Sequence, residues 1–231
     1  MRLFVIYSIF MLSCASIESR NKSFDPAMVP MSSKRAGSSS SSQESVTPAK
    51  IINGKLVDNR DGKTYKIVKI DIQTWMAENL NYKTKTSKCY NNDPENCKKY
   101  GRLYTWEEVR TACPGGWHLP NHSEWQMLVD YAGGREIAGA KLKANNGWNN
   151  FNEQVGNGSD DYGFSALAGG HGDYESKFSY MGDLGFWWSD NMGFDSEYAS
   201  SLYINSRNNA KNNDFFGVYE SYFSSIRCIK D

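Results

Sequence analysis

The sequence carries no net charge, since 26 basic residues balance 26 acidic ones. No overall field therefore draws the chain to nucleic acid or to an anionic membrane surface. Long apolar runs are also lacking. Residues 3–12 (LFVIYSIFML) form an apolar run that is too short to cross a bilayer of about 30 Å as a helix.

This short run follows Met1-Arg2 and is typical of an export signal. It ends in Met11-Leu12-Ser13-Cys14, which resembles the bacterial lipobox, in which a lipid is attached to the cysteine. We therefore predict a signal peptide over residues 1–14 with Cys14 as the lipid attachment site. An ordinary signal peptide cleaved nearby is the alternative.

Residues 15–50 are rich in serine and have no periodic apolar pattern. Such a segment cannot bury enough surface to offset its chain entropy, so we predict a disordered tether. The remaining length is that of one ordinary domain, which we place at residues 51–231.

Cysteine is scarce, with five residues in the chain. Assigning Cys14 to a lipid leaves an even number, which can form two disulfides in an oxidising compartment. Cys89 and Cys97 enclose turn-forming residues, including Asn-Asp-Pro, and a reversed chain would bring the two cysteines together. We predict that they are bonded to each other.

Aromatic residues are abundant, with 14 Tyr, 11 Phe and 7 Trp, whereas aliphatic residues are modest. This mixture favours short strands and loops over a leucine-rich helical bundle. Residues 55–57 and 63–72 flank an Asp-Gly turn and predict a hairpin, with Val68, Ile70 and Ile72 on one face. Residues 164–167, 186–189, 197–204 and 215–219 are further strand candidates.

Two short amphipathic helices are predicted early in the domain. Thr105 and Glu108 have the capping-box spacing at the start of the first helix, which ends before Pro114. Asn121 and Glu124 form a similar cap for the second helix. Each helix buries one face against the rest of the domain.

Cys113 projects into the core from the last turn of the first helix, where only a distant partner can meet it. The remaining cysteine is Cys228, in a final strand over residues 224–230 that places Ile226 and Cys228 on one side. A Cys113–Cys228 bridge closes a loop of more than one hundred residues. In the chain-entropy model this closure stabilises the fold by about 4 to 5 kcal/mol.

Four phrases, DGKTYKIVKIDIQTWMAENLNY, YGRLYTWEEVRTACPGGWHLPNHSEW, DDYGFSALAGG and SIRCIKD, occur in order along the domain. They resemble the Fibrobacter succinogenes major paralogous domain, a family of secreted or lipid-anchored bacterial proteins. The resemblance implies an α+β, C-type-lectin-like fold, with two short early helices on small antiparallel sheets and long irregular loops. It also implies kinship with the formylglycine-generating-enzyme group. In that fold a disulfide joins the first helix to the last strand, in agreement with the Cys113–Cys228 pairing.

Calcium-dependent lectins use Glu-Pro-Asn or Gln-Pro-Asn with Trp-Asn-Asp, and the sequence lacks these triplets. Residues 147–150 (GWNN) resemble the Trp-Asn-Asp triplet but lack its carboxylate. Asn157, Asp160 and Asp161 gather oxygen ligands that could hold Ca²⁺, although a structural turn is the favoured interpretation. We predict no other cofactor.

Catalysis has little support in the sequence. The disulfides use the cysteines that a formylglycine-generating enzyme would need, and His118, His122 and His171 are the only candidate histidine bases. A pair of carboxylates for glycoside hydrolysis stays open, because the distance between them depends on the fold. We predict that the protein is not an enzyme and assign no catalytic residue.

Binding is the favoured function. We expect an exported lipoprotein of the outer membrane or cell surface that contacts the membrane through its lipid and binds a glycan or a protein, but not nucleic acid. A related enzyme or hydrolase and a purely structural surface protein are the alternatives. Adjacent tryptophans on a strand point to opposite faces, so one of Trp187 and Trp188 lies nearer solvent unless loops cover both. The candidate contact residues are Trp148, Asn149, Trp187, Trp188, Tyr203 and Tyr219.

Overall fold

The computed structural model describes residues 48–192, 198–206 and 214–231, which lie in one compact unit, Glu44–Asp231. The predicted signal peptide with Cys14, and the tether up to residue 47, lie outside the described residues. The unit is a mixed α+β fold made mostly of strands with a few short helices.

One sheet has six strands and consists of antiparallel pairs. In chain order its strands are β1 (Lys50–Ile52), β2 (Lys55–Val57), β3 (Thr64–Ile70), β4 (Gln73–Met76), β6 (Trp117–His118) and β13 (Ile229–Lys230). Their spatial order is β1-β2-β3-β4-β13-β6. The β2–β3 pair is the hairpin predicted around Asp61-Gly62.

The second sheet has seven strands. They are β5 (Leu103–Tyr104), β7 (Gly169–Gly172), β8 (Phe178–Met181), β9 (Leu184–Met192), β10 (Tyr198–Asn205), β11 (Asp214–Tyr219) and β12 (Ser224–Ser225). The order β11-β10-β9-β12-β5 forms the main path, and β7 pairs with both β8 and β9. Three of the predicted strands correspond to β9, β10 and β11.

In the part of the chain that the structure describes, four α-helices accompany the sheets: α1 (Pro94–Tyr100), α2 (Trp106–Ala112), α3 (His122–Tyr131) and α4 (Ala138–Leu142). The two predicted helices are α2 and α3. In α3 the predicted capping box is complete, because Asn121 accepts from the Glu124 backbone and Glu124 accepts from the Asn121 backbone. Its buried residues Trp125, Leu128 and Val129 pack into the core.

The capping box predicted at the start of α2 is wrong. Thr105 makes no side-chain cap hydrogen bond. The Glu108 carboxylate instead accepts from Thr84 Oγ1 at 2.5 Å and from the Thr86 backbone at 2.9 Å. A neighbouring loop thus competes for Glu108, and these bonds, opposed by partial burial, lower its pKa.

Both predicted disulfides are present, Cys89–Cys97 and Cys113–Cys228. The segment within the shorter loop is more ordered than the turn that its composition suggested. Asp93 caps α1 by accepting from the Glu95 backbone at 2.9 Å, and Pro94 occupies the first turn. The same Asp-Pro pair that predicts a turn therefore also starts a helix.

The final segment is not one alternating strand. Residues 224–229 are all buried, because this segment passes from the second sheet to the first. In β12, Ser225 pairs with Trp187 and Leu103, and in β13, Ile229 pairs with Trp75 and His118. The Cys113–Cys228 bond ties this crossing to the end of α2.

Two smaller strand predictions also fail. The β3 strand ends at Ile70, and a turn leaves Ile72 73% exposed, off the face it was expected to share. Residues 164–167 form only an isolated bridge between Ala166 and Lys143, since the backbone here serves loop contacts.

Candidate functional site

Among the described residues, six side chains form a connected group of rings on the second sheet, which we name the aromatic cluster. Its members are His171, Tyr180, Phe186, Tyr203, Tyr219 and Tyr222. Strand pairing builds its centre, because Phe186 on β9 and Tyr203 on β10 stand directly opposite each other. Residues opposite one another on the same face of a sheet bring their side chains into contact.

His171, on β7, is the hub of the cluster. Its ring stacks on Phe186, with centroids 4.8 Å apart and planes inclined by 21°. Tyr180 and Tyr222 meet it edge-on, at 5.4 and 5.7 Å. Tyr219 extends the cluster through Tyr222 at 5.5 Å.

The cluster is layered from core to solvent. Phe186 is buried at its base, whereas His171, Tyr203 and Tyr222 are half-buried. Tyr180 and Tyr219 form the outer edge, with 52% and 43% of their surfaces exposed. Amphipathic rings held this way present both ring surface and phenol oxygens to a ligand.

Tyr180 has an unusual backbone conformation, with φ of 67°. A bulky residue with a left-handed φ is uncommon, because its Cβ crowds the backbone. Such conformations often occur at functional sites, where the surrounding structure holds them in place. The β7–β8 pairing holds Tyr180 between the pairs His171–Ser179 and Gly169–Met181.

The cluster is polar at its edge but carries little charge. Burial lowers the pKa of His171, and Asp173 only partly offsets this effect. The imidazole is therefore neutral at neutral pH. An uncharged aromatic surface suits a ligand that offers hydroxyl groups and C–H faces.

A broad groove of about 720 Å³ is lined in part by residues that are next in sequence to cluster members. Glu220, Ser221 and Phe223 line it, directly after or beside the cluster residues Tyr219 and Tyr222. Tyr174, Lys88 and Glu107 supply further polar and aromatic lining. The turn at residues 219–222 therefore contributes both to the aromatic cluster and to this groove.

Comparison with known families identifies the domain. A model described as the Fibrobacter succinogenes major domain matches residues 68–230. The chain belongs to this family. No curated protein and no solved structure matched the chain.

In this member of the Fibrobacter succinogenes major domain family, three predicted contact residues are buried. Trp148 is 4% exposed, and Trp187 and Trp188 are fully buried. Each indole N–H already donates: Trp148 to the Ala166 carbonyl, Trp187 to Asn79 and Trp188 to the Tyr104 carbonyl. Strand β9 is covered on both faces at these two positions, so neither tryptophan is accessible to a ligand.

The other predicted contact residues divide between two places. Tyr203 and Tyr219 belong to the aromatic cluster. Asn149 is exposed, and its side chain donates to Asp183 at 3.1 Å. His171 and Tyr180, which join this cluster, were not among the predicted contact residues.

The residues predicted as calcium ligands stabilise turns. Asn157 Oδ1 accepts from the Trp148 backbone at 3.0 Å. Both Asp160 oxygens accept from Ser165, from its backbone at 2.7 Å and its hydroxyl at 2.6 Å. The Asp161 backbone N–H bonds to the Lys141 carbonyl. Across the described ranges, no three His, Cys, Asp or Glu side chains come together as a metal site.

The remaining histidines have structural partners. His118 bridges Asp231 at 2.7 Å and Glu124 at 2.8 Å. The backbone N–H of His122 donates to Asn191 Oδ1. Within residues 48–192, 198–206 and 214–231, no helix has the length and apolar character needed to cross a membrane.

Proposed function

We propose that this protein is an exported, lipid-anchored surface protein whose domain binds a glycan through the aromatic cluster. The observation that carries the proposal is a cluster that exposes Tyr180 and Tyr219 at its edge above a buried Phe186. The Cys113–Cys228 disulfide supports a C-type-lectin-like fold for this domain, because a bond from the first predicted helix to the last strand is expected of that fold.

A glycan suits this surface for physical reasons. The C–H faces of a sugar ring pack on the negative faces of aromatic rings, and tyrosine hydroxyls both donate and accept hydrogen bonds. The rings cost little conformational entropy on binding, since packing inside the cluster already orders them. A sugar chain that extends past Tyr222 would meet Ser221 and Glu220 in the groove.

Export and lipid attachment rest on residues 1–14 and on the serine-rich segment that follows. Growth of an expressing bacterium with a labelled fatty acid tests the anchor. We expect label on the full chain and none on Cys14→Ser. Label retained on Cys14→Ser would overturn the anchor but leave the glycan proposal standing.

The glycan site is tested with the full chain on immobilised neutral hexose and pentose oligosaccharides. We expect Tyr219→Ala to weaken binding about tenfold, the effect of losing one exposed aromatic anchor. Tyr131→Ala is the matched control. Tyr131 is 49% exposed, lies on α3, and is outside the cluster.

Tyr180→Gly separates binding from folding. Glycine adopts a positive φ without strain, so stability should stay within about 1 kcal/mol of wild type even though the ring is lost. We expect binding to fall while the melting temperature holds. Unchanged binding in both Tyr180→Gly and Tyr219→Ala, or equal loss in Tyr131→Ala, would overturn the proposed site.

Two other functions would give different results in the same experiment. A purely structural surface protein would bind none of the oligosaccharides. A carboxylate-based hydrolase would release shorter products from them. Either result would replace the binding proposal.

A further inference from the structure

A second concave region lies on a different part of the domain, and we name it the lysine cleft. It has a volume of about 470 Å³, within the usual range for small-ligand sites. Its walls come from the β3–β4 hairpin, the end of α1 and loops near residues 145 and 160. No member of the aromatic cluster lines it.

Cations surround this cleft. Lys63, Lys66, Lys98 and Lys99 all line it. Lys63 pairs with Asp61 and Lys98 with Glu95, each at 2.5 Å on the surface. Exposed pairs of this kind are weak and exchange readily with solvent. Lys66 and Lys99 form no ion pair with the described residues.

A fifth cation lies behind the cleft wall. Arg227 is fully buried and donates to Asn79 Oδ1 at 3.2 Å and to the Phe164 and Ser165 carbonyls. Asn79 and Ser165 also line the cleft. Among the described residues, no carboxylate lies within ion-pair distance of this guanidinium.

Arg227 remains charged at neutral pH. Burial lowers its pKa to about 9, and Asp160 and Glu78 act against that effect from the cleft wall. A buried charge without a close counter-ion acts over a longer distance than an exposed one, because less water screens it. Its positive potential therefore reaches the cleft.

Two carboxylates in the wall reduce this potential but do not cancel it. Glu78 Oε2 accepts from the Lys66 backbone at 2.7 Å, and Asp160 bonds to Ser165 through both oxygens. Asp61 and Glu95 do not line the cleft but pair with Lys63 and Lys98, and with them four carboxylates oppose the five cations. The excess is one positive charge, which a single carboxylate on a ligand would balance.

Amide groups complete the lining. Asn145 and Asn146 are exposed on one side, and Asn81 is half-buried on another. Each amide side chain can donate and accept hydrogen bonds, as sugar hydroxyls do. We propose that the lysine cleft binds a uronic acid residue of an acidic saccharide, with ammonium groups at its carboxylate and amides at its hydroxyls.

Calorimetric titration of the full chain with a uronic acid disaccharide tests this proposal. The methyl ester of the same disaccharide is the neutral control, and inorganic sulfate is a small anion without hydroxyl groups. We expect binding of the acid, weaker binding at 0.5 M salt because charges are then screened at a few ångströms, and no measurable binding of ester or sulfate.

Lys66→Gln/Lys99→Gln should weaken binding of the acid about tenfold, or roughly 1.4 kcal/mol. Lys69→Gln is the matched control, since Lys69 is exposed on the same strand but does not line the cleft. Tyr219→Ala should leave binding of the acid unchanged, which separates this site from the glycan site proposed above.

Failure to bind the acid, equal binding of acid and ester, or a double lysine variant that binds like wild type would each overturn the proposal. Sulfate that binds as tightly as the disaccharide would overturn the saccharide assignment. Because the glycan site is measured with neutral oligosaccharides, either proposal can fail without the other.

Discussion

Trp187 donates its indole N–H to Oδ1 of Asn79 at 2.8 Å, across 108 positions of sequence. The same Asn79 oxygen accepts from Arg227 Nε at 3.2 Å, and its amide donates to the Tyr100 carbonyl at 2.8 Å. One buried side chain thus joins the β4 end, the α1 end, β9 and the terminal segment.

Asn79→Ala should be strongly destabilising. It leaves a buried indole N–H, a guanidinium N–H and a carbonyl without this partner, and unsatisfied buried groups cost about 1 to 3 kcal/mol each. We expect a loss of about 3 kcal/mol in the free energy of unfolding by urea titration, since relaxation recovers part of the cost. Asn81→Ala, at the cleft rim, is the control and should cost less than about 1 kcal/mol. Equal losses would contradict the role assigned to Asn79.

The two disulfides should differ in their effect on stability. The sequence separation is 115 positions for Cys113–Cys228 and 8 positions for Cys89–Cys97. In the chain-entropy model, alanine at both positions costs about 4 to 5 kcal/mol for the long loop and about 2.5 kcal/mol for the short one. Urea unfolding of the two double variants measures the difference. A larger loss from the short loop would show that local packing outweighs loop entropy.

His118 should stabilise the fold in acid more than in base. Partial burial opposes its protonation, but hydrogen bonds to the Asp231 and Glu124 carboxylates outweigh this and raise its pKa above 6.5. A raised pKa adds stability that is complete below about pH 6.5 and is lost as the pH rises through the folded-state value.

The stability advantage of wild type over His118→Gln should therefore be larger at pH 5.5 than at pH 8.5. The change should stay below about 1 kcal/mol, because the side chain is 41% exposed and solvent screens it. Thermal melts at the two pH values measure it, and Asp231→Asn should remove part of the dependence. An advantage that grows with pH would contradict the assignment.

Lys143 should show the opposite trend. Its ammonium is buried and donates to the carbonyls of Gly156, Asn205 and Ser206, at 2.5, 3.2 and 3.3 Å. Burial lowers its pKa from 10.5 to about 8. The unfolded chain thus binds more protons between these values, so this residue adds stability as the pH rises from about 8 towards 10.

Lys143→Met removes this dependence. The stability of wild type relative to Lys143→Met should increase between pH 7.5 and 9.5, as measured by urea unfolding. Comparing the two proteins at each pH cancels the contribution of the tyrosines, such as Tyr65, whose pKa burial raises. A relative stability that falls over this range would contradict the lowered pKa.

Local chemistry in the sequence predicted several elements correctly. The Asp61-Gly62 turn placed the hairpin, Asn121 and Glu124 placed the start of α3, and Gly, Asn and Asp residues separated β9, β10 and β11. The cysteine count led to both disulfide pairs, and the ordered motifs led to the family. These features depend on residues close together in the chain or on a covalent bond with few alternatives.

The candidate sites could be predicted only in part. Tyr203 and Tyr219 were predicted as contact residues from composition. His171, whose ring links Tyr180 to Phe186, was not, because its position in the sequence does not relate it to these rings. For Trp187 and Trp188 the sequence left two alternatives open, one ring nearer solvent or both covered by loops, and both rings are buried. Alternation along a strand predicts which face of the sheet a side chain lies on, but it does not predict whether other segments cover that face.

The sequence by itself determined the Asp61-Gly62 turn, one helix cap, the cysteine pairing and the family. Only the tertiary structure decided which aromatic rings reach solvent, which loop takes the Glu108 carboxylate and where the charge of Arg227 lies. The physical reason is range: turns and caps form between residues a few positions apart, whereas burial and electrostatic fields are set by segments that meet only after the chain has folded.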